Sequence, residues 1–418
     1  MIRRRRTSRS LGTLLIAAAM LAGGASHVRA QAAAPDDAAQ AAPAAEPKPS
    51  LEIYGFAMLD MGYQAKQNDP NWFDVVRPTK LPSLPDEFGR DGRWFSGVRQ
   101  SRLGVRSTLP TELGDVNTVF EFELFGTGVD AGQTTFRLRH AYGEVGQFGA
   151  GQTWSPFMDP DVFPNSIEYW GPTGMVFFRN VQFRWMPLGD SNLMFALERP
   201  GAAADQGVLA DRIELQNVKG RFPLPDFSGA YKASRGWGYV RGAFLIGEMK
   251  WDDLLADQFD LSGSATRWGI NLSSNLKLPT GTVRLQYVFG EGVQNYMNDA
   301  PVDVGVKANP GNAVKPVVGT ALPVQGLVAF YDHTWNELFT SSIGYSRIDI
   351  DNSDQQAANA FKDGQYALFN VLYTPVKNVM VGGELQWGKR ENFRDGFTSD
   401  DFRVQVSFKY NFSYKVGG

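Results

Sequence analysis

Hydrophobic and polar positions alternate one for one along the last segment of the chain. Phe402, Val404, Val406, Phe408, Tyr410, Phe412 and Tyr414 interleave with Arg403, Gln405, Ser407, Lys409, Asn411 and Ser413. Period-two alternation of this kind marks a strand with one apolar face and one wet face. The same rhythm predicts sixteen strands, at 50–64, 94–109, 116–126, 134–145, 148–153, 180–187, 191–199, 225–233, 237–250, 265–278, 282–291, 324–335, 338–348, 365–375, 379–390 and 401–414. A competing strand at 212–218 leaves the count between 14 and 18. Short turns rich in Gly, Pro, Asn and Asp, such as 110–115, 146–147, 188–190 and 376–378, alternate with long connections at 65–93, 154–179, 200–224, 292–323 and 350–363. Short turns at one end and long loops at the other predict an all-β fold, a transmembrane antiparallel β-barrel of 16 strands over 50–414, with 415–418 as a tail.

Placing Arg or Lys against lipid at mid-depth costs about 2–4 kcal/mol, and this decides which parity faces in. Thr118, Phe120, Phe122 and Leu124 are assigned outward, with Glu121 and Glu123 inward. Phe136, Leu138 and Tyr142 go outward, which puts His140 on the lipid side and Arg137 and Arg139 inside. The expected interior is a column of water lined by Arg102, Arg106, Arg137, Arg139, Arg184, Arg267, Arg284, Arg403 and Lys409. Arg102 and Arg106 are four residues apart on one face, about 13 Å along the strand. Such a ladder presents a positive wall to solutes and binds carboxylates in bidentate fashion. Alternatively, each arginine braces a neighbouring glutamate, Glu121 or Glu123, and the pore is a simple sieve. The connection 154–179 carries Trp154, Phe157, Asp159, Asp161 and Glu168 among several prolines and aromatics. A stiff loop of this kind is expected to fold inward as a constriction, its carboxylates facing the arginine wall.

The N-terminus changes the picture of charge and location. Arg3 to Arg6 and Arg9 precede an apolar run, Leu11 to Ala22, and Val28-Arg29-Ala30 offers a cleavage site. Residues 1–30 therefore read as a secretory signal, and the Ala/Pro-rich 31–49 as a periplasmic lead-in. Six of the 41 basic residues lie in the signal, so its removal takes the formal charge from −3 to −9. An acidic exported chain does not suit nucleic acid, which needs a basic partner surface. The chain has no cysteine, although export would permit disulfides, so the fold is closed by other means. Aromatics make up 13% of the residues, which suits a fold with a lipid face.

Three segments give the pattern a specific resemblance. They are Arg99-Gln100-Ser101-Arg102-Leu103-Gly104-Val105-Arg106, Gly151-Gln152-Thr153-Trp154-Ser155-Pro156-Phe157-Met158-Asp159, and the run from Gly171-Pro172 to Arg179 and on to Gln182-Phe183-Arg184. With the strand rhythm, the chain resembles the DcaP-like family of trimeric outer-membrane porins over nearly all of 50–414. The resemblance implies a homotrimer in the outer membrane of a Gram-negative bacterium and uptake of small anions, dicarboxylates in particular. It also implies that Arg102, Arg106, Arg137, Arg139 and Arg184 serve solute passage. The short proline-rich lead-in departs from members that carry a helical extension. The ending Lys415-Val416-Gly417-Gly418 departs from a terminal aromatic, leaving Phe412 or Tyr414 to serve assembly.

Other signals are weaker. His140 and His333 are the histidines left after cleavage, and neither has a Ser in a recognisable motif beside it, so an outer-membrane hydrolase is the minor alternative. Asp349, Asp351 and Asp354 lack the Gly and distant Glu of a calcium loop. Gly236, Gly238 and Gly242 punctuate a strand and allow curvature. The expectation is a passive porin for small anionic solutes, with no enzymatic activity, no cofactor and no metal.

Overall fold

The computed structural model describes residues 48–417. The signal segment 1–30 and almost all of the lead-in 31–49 lie outside the described residues. Sixteen strands form one closed antiparallel barrel. In chain order they are β1 (Ser50–Gln64), β2 (Arg93–Gly97 and Arg102–Thr111), β3 (Gly114–Phe125), β4 (Thr134–Val145), β5 (Phe148–Trp154), β6 (Arg179–Trp185), β7 (Leu193–Glu198) and β8 (Val218–Arg221 and Asp226–Arg235). They continue with β9 (Gly238–Asp253), β10 (Gly263–Leu278), β11 (Gly281–Glu291), β12 (Pro323–Thr334), β13 (Phe339–Ile350), β14 (Phe361–Val376), β15 (Val379–Asn392) and β16 (Thr398–Gly417). Each pairs with the next, and β16 returns to β1 from Ser50↔Gly417 to Gln64↔Arg403, so the sheet has no free first or last strand. A separate hairpin, Val304–Ala308 with Val317–Ala321, sits in the connection between β11 and β12.

Three sequence expectations are corrected here. Lys415 to Gly417 are not a tail, because Ser50, Leu51 and Glu52 offer them ladder partners. Residues 212–218 do not make an extra strand. Ile213–Leu215 is a helical turn, and Val218–Arg221 pairs with β9 as the outer part of β8. The third correction concerns β4. Glu121 faces His140 whereas Phe122 faces Leu138, so one extra residue enters β4 at Arg139. A bulge reverses the parity of everything after it. Phe136 and Leu138 do face out, but His140 and Tyr142 turn inward. His140 Nδ1 lies 3.0 Å from Thr153 Oγ1, and the Tyr142 ring sits under the Arg184 guanidinium.

The barrel is not an open tube. Residues 155–178 hydrogen-bond to inward-parity side chains of β9 to β16. Asn271 donates to the Phe157 carbonyl (2.8 Å), Ser346 Oγ accepts from Gly174 N (2.8 Å), and the Glu384 carboxylate accepts from Ile167 N (2.9 Å) and Glu168 N (3.1 Å). Under this segment Phe157, Met158, Val162 and Met175 pack with Leu245, Val288, Val328, Phe330, Ile348 and Leu368 in one buried apolar cluster. Burying each large apolar side chain contributes about 1.5–3 kcal/mol, so the segment is held by packing as well as by hydrogen bonds. The water-filled column expected from alternation is therefore displaced. The β9–β15 side is filled by the packed segment, and the cavities lie between that segment and the wall of β1–β5 with β16.

Candidate functional site

Register builds the charged wall. Arg102 sits opposite Glu123 across β2 and β3, and Glu123 sits opposite Arg137 across β3 and β4. The bulge at Arg139 lets that guanidinium reach both carboxylates, with 2.6 Å to Glu121 and 2.6 Å to Glu123. Arg102 lies 3.6 Å from Glu121 and 3.4 Å from Glu123, Arg137 lies 3.7 Å from Glu123, and Arg179 lies 3.8 Å from Glu123. The Tyr54 hydroxyl completes the network by donating to Glu121 (2.7 Å). It can do so because its ring lies over Gly104, where any Cβ would collide with it. Four guanidinium groups thus share two carboxylates, and the wall carries an excess of positive charge.

Aromatic rings stand against this wall. Tyr169 stacks on Phe125 with 3.8 Å between centroids, and its hydroxyl donates to Glu123. Trp154 lies edge-on to Phe177 at 5.1 Å, and the Arg179 guanidinium lies over the Trp154 ring at 4.7 Å. Two cavities meet here, and Tyr169 and Phe177 line both. The one toward the long loops, about 240 Å³, is lined by Arg77 and Arg137 among its charged groups. The one toward the termini, about 300 Å³, is lined by Arg102, Arg139, Lys409 and Glu168 among its charged groups. Arg77 is sandwiched between Trp72 (4.1 Å) and Trp170 (3.9 Å) and paired with Asp299 (2.9 Å).

The remaining residues named from sequence are dispersed. Arg106 is exposed near the terminus end, stacked on Tyr54 and 3.9 Å from Glu52. Arg184 donates to the Trp154 carbonyl (2.5 Å) and to Gln182 (3.0 Å). Arg284 pairs with Asp332 (2.6 Å) and donates to the Asp161 carbonyl. Arg267 and Arg403 are fully covered and line neither cavity. Arg267 pairs with Asp226 (2.8 Å), and Arg403 donates to the Asp74 carbonyl (2.5 Å) and to Gln405 (2.6 Å). Phe157 is likewise fully buried, in the apolar cluster.

Asp159 and Asp161 do not face the arginine wall, whereas Glu168 borders the cavity that Arg102 and Arg139 line. Asp159 accepts from Tyr239 (2.8 Å) and Ser273 (2.5 Å) on β9 and β10. Asp161 pairs with Lys232 of β8 (2.6 Å). Glu168 is buried and accepts from Val76 N (3.1 Å) and Gly171 N (2.5 Å), which ties the first long loop to this one. Burial pushes the Glu168 carboxyl up to about 7, against the pull of Arg403. The reason is packing: the segment uses its polar groups to dock on the far wall and turns its rings to the passage.

Arg77, Arg179, Tyr169 and Phe177 were missed as site residues. Arg77, Tyr169 and Phe177 lie in loops, where alternation carries no information. Arg179 opens β6 and shares parity with the outward Val181 and Phe183, so the period-two rule alone misplaces it. His333 shares a hydrogen bond with the Tyr331 hydroxyl (2.9 Å), and neither histidine has a serine oxygen as its hydrogen-bond partner among the described residues.

Solved structures similar to this one are outer-membrane channels. The outer membrane channel DcaP of Acinetobacter baumannii superposes with a TM-score of 0.70 at 22% identity, covering 87% of this chain and 97% of that one. An anion-selective porin from Comamonas acidovorans gives 0.54 at 12% identity, with 87% and 100% covered. The trimer form of OmpT from Vibrio cholerae gives 0.51 at 13%, with 87% and 99% covered. At these identities the likeness establishes the fold. No curated protein matches the chain in sequence. The family model for the DcaP outer membrane protein matches residues 94–309, more than half of the sequence. With the closed barrel and the lumenal arginine wall in place, the chain belongs to the DcaP outer membrane protein family and is an outer-membrane channel of a Gram-negative bacterium.

Proposed function

We propose that this channel is a passive porin that favours small anionic solutes, carboxylates and dicarboxylates among them, and that it works as a homotrimer without catalytic activity or a bound cofactor. The observation that carries the reading is the four-to-two ratio of guanidinium groups to carboxylates beside the passage. A wet passage with an excess of fixed positive charge concentrates anions and repels cations. The cavity toward the termini sets Arg102, Arg139 and Lys409 against Glu168, and the one toward the long loops sets Arg77 and Arg137 against Asp303, so cations outnumber carboxylates in both linings, which suits an anionic solute. Bracing and attraction are compatible. Arg139 is committed to both glutamates, while Arg137, at 3.7 Å from its partner, keeps spare capacity. The fold-level likeness to a porin described as anion-selective and to another solved as a trimer agrees with the reading by analogy.

Reversal potentials across planar bilayers in a potassium chloride gradient test it. The expected sign is that of chloride preference, and a cation-preferring pore defeats the reading. Liposome swelling with mono- and dicarboxylates then orders the solutes, and native electrophoresis reads the trimer.

A further inference from the structure

Two uncharged hydroxyls set how much of the arginine wall is left for solute. We propose that Tyr54 and Tyr169 are positioning residues that keep Arg102 and Arg137 available to anions. The inference rests on the anion reading above and adds how the wall avoids neutralising its own cations. Glu121 and Glu123 offer four carboxylate oxygens, and each oxygen has one close partner. On Glu121, Oε1 accepts from Arg139 Nε (2.6 Å) and Oε2 from the Tyr54 hydroxyl (2.7 Å). On Glu123, Oε2 accepts from Arg139 Nη1 (2.6 Å) and Oε1 from the Tyr169 hydroxyl. One guanidinium and two neutral phenols therefore hold every oxygen at short range.

The other cations stand back. Arg102 is 3.6 Å from Glu121 and 3.4 Å from Glu123, and Arg137 is 3.7 Å from Glu123. An unobstructed guanidinium closes on a carboxylate to about 2.7–2.9 Å. Arg102 Nε is buried and has no hydrogen-bond partner among the described residues, so this guanidinium keeps a donor in reserve. The Tyr169 hydroxyl is a spacer, since it donates to Glu123 and accepts from Arg137 (3.4 Å). Tyr54 is fixed from both sides, its ring over Gly104 and under the Arg106 guanidinium at 4.1 Å. Each hydroxyl serves one cavity. Tyr54 keeps Arg102 free on the side of the termini, and Tyr169 keeps Arg137 free toward the long loops. A phenol suits this task because it satisfies a carboxylate oxygen without adding charge.

Removing either hydroxyl while keeping its ring leaves the formal charge of the lumen unchanged and gives one oxygen to the neighbouring guanidinium. The variants are Tyr54→Phe, Tyr169→Phe, and Arg102→Ser alone and combined with Tyr54→Phe. The probe is malonate, titrated against single-channel chloride current, and heat-modified gel mobility confirms that each barrel has folded. The half-blocking concentration should rise about fivefold in each single tyrosine variant, the effect of one lost charge-assisted contact to the probe. Arg102→Ser should raise it by a similar factor alone, but by less than about twofold on top of Tyr54→Phe, because both changes remove the same contact. Equal block of the wild type and both tyrosine variants overturns the inference and leaves the anion reading standing. Full additivity of Arg102→Ser with Tyr54→Phe, which a merely structural tyrosine would give, overturns it too. A wild-type pore that prefers potassium, or that malonate does not block, removes the carboxylate reading and the inference together.

Discussion

Partly exposed and buried arginines in this lumen carry the same charge, and the proposed anion preference requires the exposed ones alone to act on passage. Replacing Arg137 by serine removes a guanidinium whose side chain is 29% exposed and loosely held, 3.7 Å from Glu123. An anion passing at about 5 Å from it gains about 3 kcal/mol at an effective dielectric of 20 and about 0.8 kcal/mol in bulk water. The passage is wet, so the lower end applies, at about 1 kcal/mol, which corresponds to roughly a fivefold change in local anion occupancy. Arg137→Ser should therefore lower the chloride-to-potassium permeability ratio about fivefold. Arg267→Ser removes the same formal charge from a side chain that is fully covered and neutralised by Asp226 at 2.8 Å. It should leave selectivity within experimental error yet cost about 3–5 kcal/mol of stability, because Asp226 is stranded in a dry site. Reversal potentials in a potassium chloride gradient read the first effect, and heat-modified gel mobility reads the second. The reasoning is refuted if Arg137→Ser leaves the reversal potential unmoved, or if Arg267→Ser shifts it as far.

Three further outcomes are expected. Glu168 is held up to about 7 by burial, above its usual 4.5, so the docked state keeps a proton that the released state gives up between these values. Docking of 155–178 is then tightest below about pH 4.5 and weakens as pH rises to about 7, by at most about 1.4 kcal/mol per unit; closure noise in single-channel records should grow over this range and become flat in Glu168→Gln. At Gly174, whose N–H is bonded to Ser346 (2.8 Å), any Cβ would strike the carbonyl oxygens of Arg347 and Leu327. Gly174→Val should push the loop off the β12–β13 wall into the passage and reduce single-channel conductance, and an unchanged conductance would count against the docking described. The bulge at Arg139 predicts that Tyr142→Cys reacts with a charged, water-borne thiol reagent while Ala141→Cys reacts with a membrane-soluble one; the opposite pattern would mean that β4 has no bulge.

The count of sixteen was settled only when 213–215 proved to be a helical turn, whereas alternation alone determined the barrel and the ends of most of its strands. The reason is that lipid on one side and polar interior on the other impose a period of two on every spanning strand. It also placed Arg102, Arg137, Arg139, Glu121 and Glu123 on one inner wall, since the cost of a charge in hydrocarbon leaves a single choice of face. Only the tertiary structure decided what the interior contains. The apolar runs Leu327 to Tyr331 and Tyr366 to Phe369 have both faces greasy, a local sign that something dry packs inside, but they cannot say which loop fills the space. That outcome depends on contacts between residues 155–178 and strands that begin 80 or more positions away, and on one extra residue in β4 that no local pattern marks. The same long-range docking turned Asp159 away from the passage and brought Arg77, Tyr169, Phe177 and Arg179 to it.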